Sequence, residues 1–386
     1  MKTYDVGIIG AGIHGASAAY HLASRGVKTV IFERWGAAGG PTGRSSGICR
    51  AYYTNEFLAV AARDSIEMLE NFAEITNGCD AGFHRTGFLF LHPRQDAVPL
   101  WPACERLNAL GVTVDVLAGD RLRSEFPMFD LDGIDVGVWE VNAGYADPAG
   151  ATLGMLARAV ELGVTTHMGT QVAELRPIPG GGCELVTTTG MRTVCRKLLV
   201  AAGPWTAPLM RQVGVELPLT VERHVVAVGA WGPSTPLPFG HADLSTGYYC
   251  KPEGRELFCL GWLHPSKNVD PDDFPQRISD DEVAELLATA VRRVPGLAEV
   301  GSRGGWASLY DVSPDWQPVI GEVAEGIFVD AGTSGHGFKL APALGRHVAD
   351  LVTGDAPDPA LEQFHPRRFS DGVRLAAGYG AAKILG

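Results

Sequence analysis

The stretch Val6-Gly7-Ile8-Ile9-Gly10-Ala11-Gly12-Ile13-His14-Gly15 constrains this 386-residue chain more than any other. Val6 to Ile9 reads as a buried parallel strand and runs directly into Gly10-x-Gly12-x-x-Gly15. A helix-compatible segment, Ile13 to Arg25, ends at Gly26, and a second strand from Thr29 to Phe32 ends on Glu33. Strand, glycine turn, helix, strand and terminal acid within about 30 residues form the βαβ fingerprint of a dinucleotide site. Gly10 permits the tight turn, Gly12 lets a pyrophosphate approach the backbone, and Gly15 lets the helix approach the strand. The helix N-terminus offers free N–H groups and the positive end of its dipole to phosphates. Glu33 accepts from ribose hydroxyls and would repel a 2′-phosphate. A purely structural glycine turn has the same three glycines, but Gly15, Ala19, Leu22 and Ala23 also give the helix a small apolar face for the sheet. The motif alone leaves FAD and NAD both open.

Composition narrows the class. Apolar residues make up 46% and charged residues 20%, an ordinary globular balance. A net charge of −12 argues against nucleic acid or an anionic membrane surface as a partner. The seven cysteines are scattered with no CxxC spacing, which fits a reducing compartment and neither a metal site nor a disulfide framework. Met1-Lys2 and the apolar residues after it belong to the fingerprint strand, with Asp5 inside it, and not to a signal peptide. No apolar run reaches the roughly 18 residues a membrane span needs. The expectation is a soluble, cytoplasmic protein without metal.

Further along, Arg34 to Gly47 is glycine- and hydroxyl-rich, composed as a ligand-wrapping loop one strand after the fingerprint. Glu56 to Phe72 reads as an amphipathic helix, and Gly82 to Leu91 as strand. Residues 94–125 read as helical with breaks, Gly133 to Glu140 as strand, Ala151 to Leu162 as helix, and Val164 to Leu175 and Leu198 to Val200 as strand. Ala201-Ala202-Gly203-Pro204-Trp205 follows that last strand as a small-residue turn, another place where backbone can touch a cofactor. From Leu217 to Trp306 the pattern alternates as in antiparallel sheet, around a charged helix from Ser279 to Val294. A strand from Gly326 to Asp330, a Gly-rich turn and a helix to Val352 close the pattern. The tail from Asp355 is Pro- and Gly-rich and reads as a surface wrap.

Four segments together carry a likeness: Gly10 to Gly15 with Glu33, Gly43-Arg44-Ser45-Ser46-Gly47-Ile48-Cys49-Arg50, Ala201 to Trp205, and Gly332-Thr333-Ser334-Gly335-His336-Gly337-Phe338-Lys339. The chain resembles the FAD-dependent amino-acid oxidoreductases of the glycine oxidase, D-amino-acid oxidase and sarcosine oxidase type. That resemblance implies FAD as cofactor and an α/β architecture: a Rossmann-type FAD-binding domain with an inserted antiparallel-sheet substrate domain. Expected boundaries are 1–80, 145–216 and 307–360 for the FAD domain, 81–144 and 217–306 for the substrate domain, and 361–386 for the tail. Implied cofactor contacts are Gly10, Gly12, Ile13, His14, Gly15, Glu33 and Arg34, then Arg44, Ser45, Ser46 and Gly47. Val172, Ala202, Gly203 and Trp205 join them, with Gly335, His336, Gly337, Phe338 and Lys339 at the flavin end.

The sarcosine oxidase branch is the nearest likeness and implies that Arg50 and Lys339 bind a substrate carboxylate. Lys339 stands near a helix start, where a cation opposes the dipole, which points to a purpose other than helix stability. His336 is expected to line the flavin edge, and Tyr52, Tyr248, Tyr249, Trp262 and Tyr310 are pocket candidates. Two departures matter. Ser308 stands where that branch has the cysteine that attaches its flavin, so FAD is expected to be non-covalent. Cys259 stands where the branch has a lysine that promotes reaction with oxygen, which leaves O2 and another electron acceptor both open. The expected reaction is oxidation of an amino acid, sarcosine-like or otherwise N-substituted, to an imine. The alternatives are a flavin-dependent 2-hydroxy-acid dehydrogenase, a nicotinamide dehydrogenase and a non-catalytic flavoprotein subunit.

Overall fold

The computed structural model describes residues 2–94, 100–232 and 237–376. Its first sheet is centred on the strand Lys2–Ile9, which pairs in parallel with Thr29–Phe32 on one side and Arg192–Val200 on the other. Ile9 is level with Phe32 and Val200, so the three strands end together and open one edge for a ligand. Thr165–His167 extends the sheet beyond Thr29–Phe32, and Ile327–Ala331 lies parallel to the last residues of Arg192–Val200. Three antiparallel strands, Val172–Pro177, Cys183–Thr187 and Val319–Ala324, complete it.

Alternation along these strands buries both faces, as a parallel sheet requires. Val6, Ile8 and Ile31 pack under the helices Ile13–Ser24 and Gly337–Thr353. Ile9, Val30, Phe32 and Val200 pack on the opposite face with Met210 and Leu217. The helix Ile13–Ser24 reaches the strand because Gly15 has no side chain; a Cβ there would stand 1.9 Å from the Gly10 carbonyl oxygen.

The second sheet has eight strands in the order Gly301–Val312, Thr220–Ala230, Leu257–Trp262, Tyr248–Glu253, Gly240–Asp243, Phe88–Pro93, Ile134–Glu140 and Val114–Ala118. All neighbours are antiparallel except Gly240–Asp243 beside Phe88–Pro93. One face is covered by the helix Asp280–Arg293, started by a Ser279/Glu282 capping box and inserting Val283, Leu286 and Ala290. The other face contributes Phe90, Val138 and Tyr249 to the core shared with the nucleotide-binding helices. A short three-stranded sheet, with Gly144–Tyr145 between Ile48–Cys49 and His84–Arg85, lies alongside.

The two-sheet α/β architecture is the one expected. Local differences have clear causes. Val114–Ala118 lies in a stretch read as helical but pairs with Ile134–Glu140, because Val114 and Leu117 gain more from the sheet edge than a short helix offers. Cys183–Thr187 forms a strand between glycine turns that mask its pattern. Gly301–Val312 is one continuous strand of the second sheet and crosses the boundary expected between residues 306 and 307. The tail is less superficial than its composition suggests: Arg368 is buried and donates twice to Asp315, at 2.9 Å each.

Candidate active site

The glycine turn opens into a cavity of about 370 Å³ that runs along the open edge of the first sheet. Gly10 has φ +104°, and a Cβ would stand 2.3 Å from the Ala201 carbonyl oxygen, so the two small-residue turns meet backbone to backbone. Gly12 caps the helix Ile13–Ser24 without any side-chain acceptor, while the Ile13 N–H donates to Thr42 Oγ1 at 3.2 Å. Glu33 is held at the cavity wall by two amides: Ala11 N–H donates to Oε2 at 2.9 Å and Trp35 N–H to Oε1 at 2.8 Å.

Most expected cofactor contacts converge on this wall. Gly10, Gly12, Ile13, His14, Glu33, Arg34, Ser45, Val172, Ala202, Gly203 and Trp205 line it, as do Gly335, Gly337 and Phe338. Others stand outside it. Gly15 is a packing position, and Gly47, with φ +70°, turns the chain against Ala146. Arg44 reaches away to donate to Gln276 Oε1 at 2.8 Å, and Ser46 hydrogen-bonds Tyr249. The pattern could not separate residues that line the cleft from those that shape the loop behind it.

Behind the turn at Gly335 lies a buried, charged group. Arg50 is 3% exposed, donates to the Tyr52 carbonyl at 2.8 Å and lies over the Tyr53 ring at 4.6 Å. Lys339 is also buried and donates to the Gly335 carbonyl at 3.3 Å. Burial, and then the nearby Arg50 cation, pull the Lys339 ammonium down to about 7. His336 sits between these groups. Burial, then Lys339 and Arg50, hold it well below the usual histidine range, so its ring is neutral at pH 7. Its Nδ1 is 3.2 Å from the Tyr53 hydroxyl, and its buried Nε2 has no partner among the described residues. Arg50, Lys339 and His336 thus form one cluster, although none of the three walls the main cavity.

The aromatic candidates divide by strand face. Tyr249 lies over Gly261 and points towards the shared core, with its phenol pushed well above its ordinary value by burial. Tyr310 lines the cavity with its ring stacked on His224 at 3.9 Å. Tyr248 is a correction: successive strand residues face opposite ways, and its hydroxyl is 3.0 Å from His241 Nε2 in the outer core. Trp262 pairs directly with Tyr248 and shares that outer face. Tyr52 is another: its ring packs on Phe90 at 4.6 Å, its hydroxyl approaches His92, and its carbonyl accepts from Arg50. Cys259 is buried opposite Lys251, and burial pushes its thiol up to about 11.

Several participants escaped the sequence reading. Glu140 is 1% exposed and accepts from the amides of Ala51 at 2.6 Å and Tyr52 at 3.0 Å, fixing the backbone that carries Arg50. Burial raises its carboxyl to about 7 against those amides and Arg50. Asp330 and Gln171 line the cavity. A lone acid at a strand end gives no periodic signal, so only the long-range pairing reveals Glu140 and Asp330.

The backbone cradle, the helix terminus that begins at a glycine and the acid at its rim suit a dinucleotide, and relatives identify the group. Residues 5–351 match the family model for FAD dependent oxidoreductases, and the chain belongs to that family. It is an FAD-dependent oxidoreductase. Its similarity extends to the peroxisomal sarcosine oxidase of Mus musculus, 29% identical over 393 residues and covering 95% of this chain and 96% of that one. The glycine oxidase of Geobacillus kaustophilus, as a crystal structure, has a TM-score of 0.81 at 25% identity, covering 95% of this chain and 99% of that one. The L-proline dehydrogenase from P. horikoshii shares the fold at a TM-score of 0.86 and 23% identity, over 97% of this chain and 100% of that one. Among the described residues no helix is long and apolar enough to cross a membrane.

Proposed function

We propose that this enzyme oxidises the C–N bond of an amino acid to an imine, with N-substituted, sarcosine-like amino acids as its preferred substrates. The observation that carries the reading is the buried pair Arg50 and Lys339, clustered with a neutral His336 behind the Gly335 turn. A buried guanidinium and a buried ammonium gathered in one cluster suit an anionic ligand, and a substrate carboxylate matches the geometry of both. Arg50 is oriented by the Tyr52 carbonyl and the Tyr53 ring, and Glu140 fixes the peptide that presents it. The positive cluster disfavours an ammonium group, so the substrate amine is held in its neutral form, the form that is oxidised. FAD, when bound, supplies the two-electron acceptor. The cleft residues Glu33, Ile13 and Gly337 belong to its binding, and Ser308 at the cavity wall in place of a cysteine favours non-covalent attachment. Cys259, a buried thiol where a cation would favour reaction with O2, supports an electron acceptor other than oxygen.

His336 favours a second reading. In the tautomer whose Nδ1–H donates to the Tyr53 hydroxyl, Nε2 is a base beside the two cations. A 2-hydroxy acid would need such a base to take its hydroxyl proton. Anaerobic mixing with sarcosine, proline, primary amino acids and 2-hydroxy acids, followed by flavin absorbance at about 450 nm, separates the readings. Bleaching by secondary amino acids and not by hydroxy acids is expected; bleaching by hydroxy acids alone sinks the amine reading. Readmitting air should restore the colour slowly.

A further inference from the structure

The cavity wall contains a carboxylate that the glycine motif does not account for. Asp330 ends on the open edge of the first sheet, within Ile327–Ala331, with a side chain that is 0% exposed. Its Oδ2 is 2.8 Å from His14 Nδ1, and the His14 Nε2 is 3.1 Å from the Gly337 carbonyl. Both ring nitrogens face acceptors, so both must carry protons for the contacts to be hydrogen bonds. Burial, the largest single influence, pulls the imidazole pKa down, but the Asp330 carboxylate, Asp311 and the Gly337 carbonyl together outweigh it and the net shift is upwards. His14 therefore balances the charge of Asp330 and occupies one of its oxygens. The other, Oδ1, is buried with no hydrogen-bond partner among the described residues, and Asp330 lines the cavity.

An acceptor of this kind is costly to leave bare, so its partner comes from the cavity. The position identifies the donor. Asp330 follows Val329, which pairs with Val200 at the strand end beside the Gly10 turn, and His14 ties it to Gly337 next to the flavin-end turn at Gly335. The central part of FAD is the pyrophosphate and the ribityl chain. The pyrophosphate is anionic and only accepts hydrogen bonds, so a carboxylate oxygen repels it. The ribityl chain carries hydroxyls, which donate.

We propose that Asp330, clamped by His14, is the acceptor for a ribityl hydroxyl of FAD and so fixes the cofactor at its middle. The inference rests on FAD binding alone and not on the amine substrate. It is tested by exchanging the flavin of the holoenzyme against excess FAD analogues lacking the 2′-, 3′- or 4′-hydroxyl of the ribityl chain. The bound flavin is then quantified after gel filtration. For the native chain, one of the three analogues should compete at least tenfold less well than FAD, the lower end expected for a hydrogen bond to a charged group. In Asp330→Ala, FAD itself should bind about tenfold more weakly or worse, and that analogue should compete on equal terms. Equal competition by all three analogues in the native chain overturns the proposal, as does a discrimination that survives in Asp330→Ala. If that variant does not fold, Asp330→Asn takes its place. Its neutral amide oxygen is a weaker acceptor, so the discrimination should shrink about threefold or more; an unchanged discrimination there also overturns the proposal.

Discussion

Lys339 shows how one residue sets the pH behaviour of the site. Burial and Arg50 bring its ammonium down to about 7, so the free enzyme loses this charge as pH rises through neutrality. Binding of a carboxylate favours the charged form and takes up a proton. A carboxylate inhibitor should therefore bind progressively more weakly above about pH 7, while Lys339→Arg, charged throughout, should flatten that profile. Inhibitor titrations between pH 6 and 9 give the answer, and identical profiles for the two proteins would assign the titration elsewhere. Arg50→Met should lower kcat/KM about 100-fold or more, since it removes a charged, oriented contact from a dry site, while its neighbours Glu140 and Tyr53 keep the fold. Arg50 and Lys339 were legible as one pair because the segments that carry them resemble those of the sarcosine oxidase branch, and both are buried in one cluster with His336. The aromatic wall was not. Tyr248 and Tyr249 are adjacent and alike in composition, and only the sheet register sends one outward to His241 and the other inward over Gly261.

The helix Gly337–Thr353 carries Lys339 in its first turn and contains Pro342, which interrupts its hydrogen-bond ladder. Neighbouring helices repair the gap. Ser65, from the helix Glu56–Glu70, donates to the Leu340 carbonyl at 3.0 Å and accepts from the Ala343 N–H at 3.0 Å. Ser17 donates to the Pro342 carbonyl at 3.1 Å, and His21 Nε2 meets the same oxygen at 2.9 Å. Ser65→Ala removes a buried hydroxyl that donates once and accepts once and should destabilise the protein by about 1–3 kcal/mol, two hydrogen bonds' worth. Urea unfolding measures it, and a loss below about 0.5 kcal/mol, the lower end for a single hydrogen bond, would mean that the proline break is repaired in another way. The helix itself was legible from its apolar face and preceding glycines. Its dependence on Ser65 and Ser17 was not, because those hydroxyls lie in other helices about 275 and 325 positions away along the chain.

At the scale of the whole molecule, the two sheets are tied together across the mouth of the cofactor cavity. The connection from Leu257–Trp262 to Asp280–Arg293 belongs to the second sheet, yet its Asp272 accepts from Arg34 Nη2 at 2.9 Å and Trp205 Nε1 at 3.0 Å. The Arg34 guanidinium lies 3.8 Å from the Trp35 ring and 3.9 Å from the Trp205 ring, and all four residues line the cavity at its Glu33 end. A few residues on, Gln276 accepts from Arg44 at 2.8 Å and holds the same connection to the cofactor loop. Asp272 is 62% exposed, so its ion pair contributes little to folding. Its expected effect is on passage: the Arg34 stack stands at the Glu33 side of the cavity, where holding it should slow the release of FAD. Asp272→Ala should leave the melting temperature of the apoprotein within about 2 °C, the shift of a surface substitution worth under 0.5 kcal/mol. It should also speed FAD dissociation about fivefold, the effect of losing roughly 1 kcal/mol of stacking and hydrogen bonding. Stopped-flow dilution with detection of released FAD fluorescence measures that rate. An unchanged rate would show that the connection spans the cavity mouth without closing it, and the retention of FAD would then fall to the glycine cradle and the ribityl contact alone.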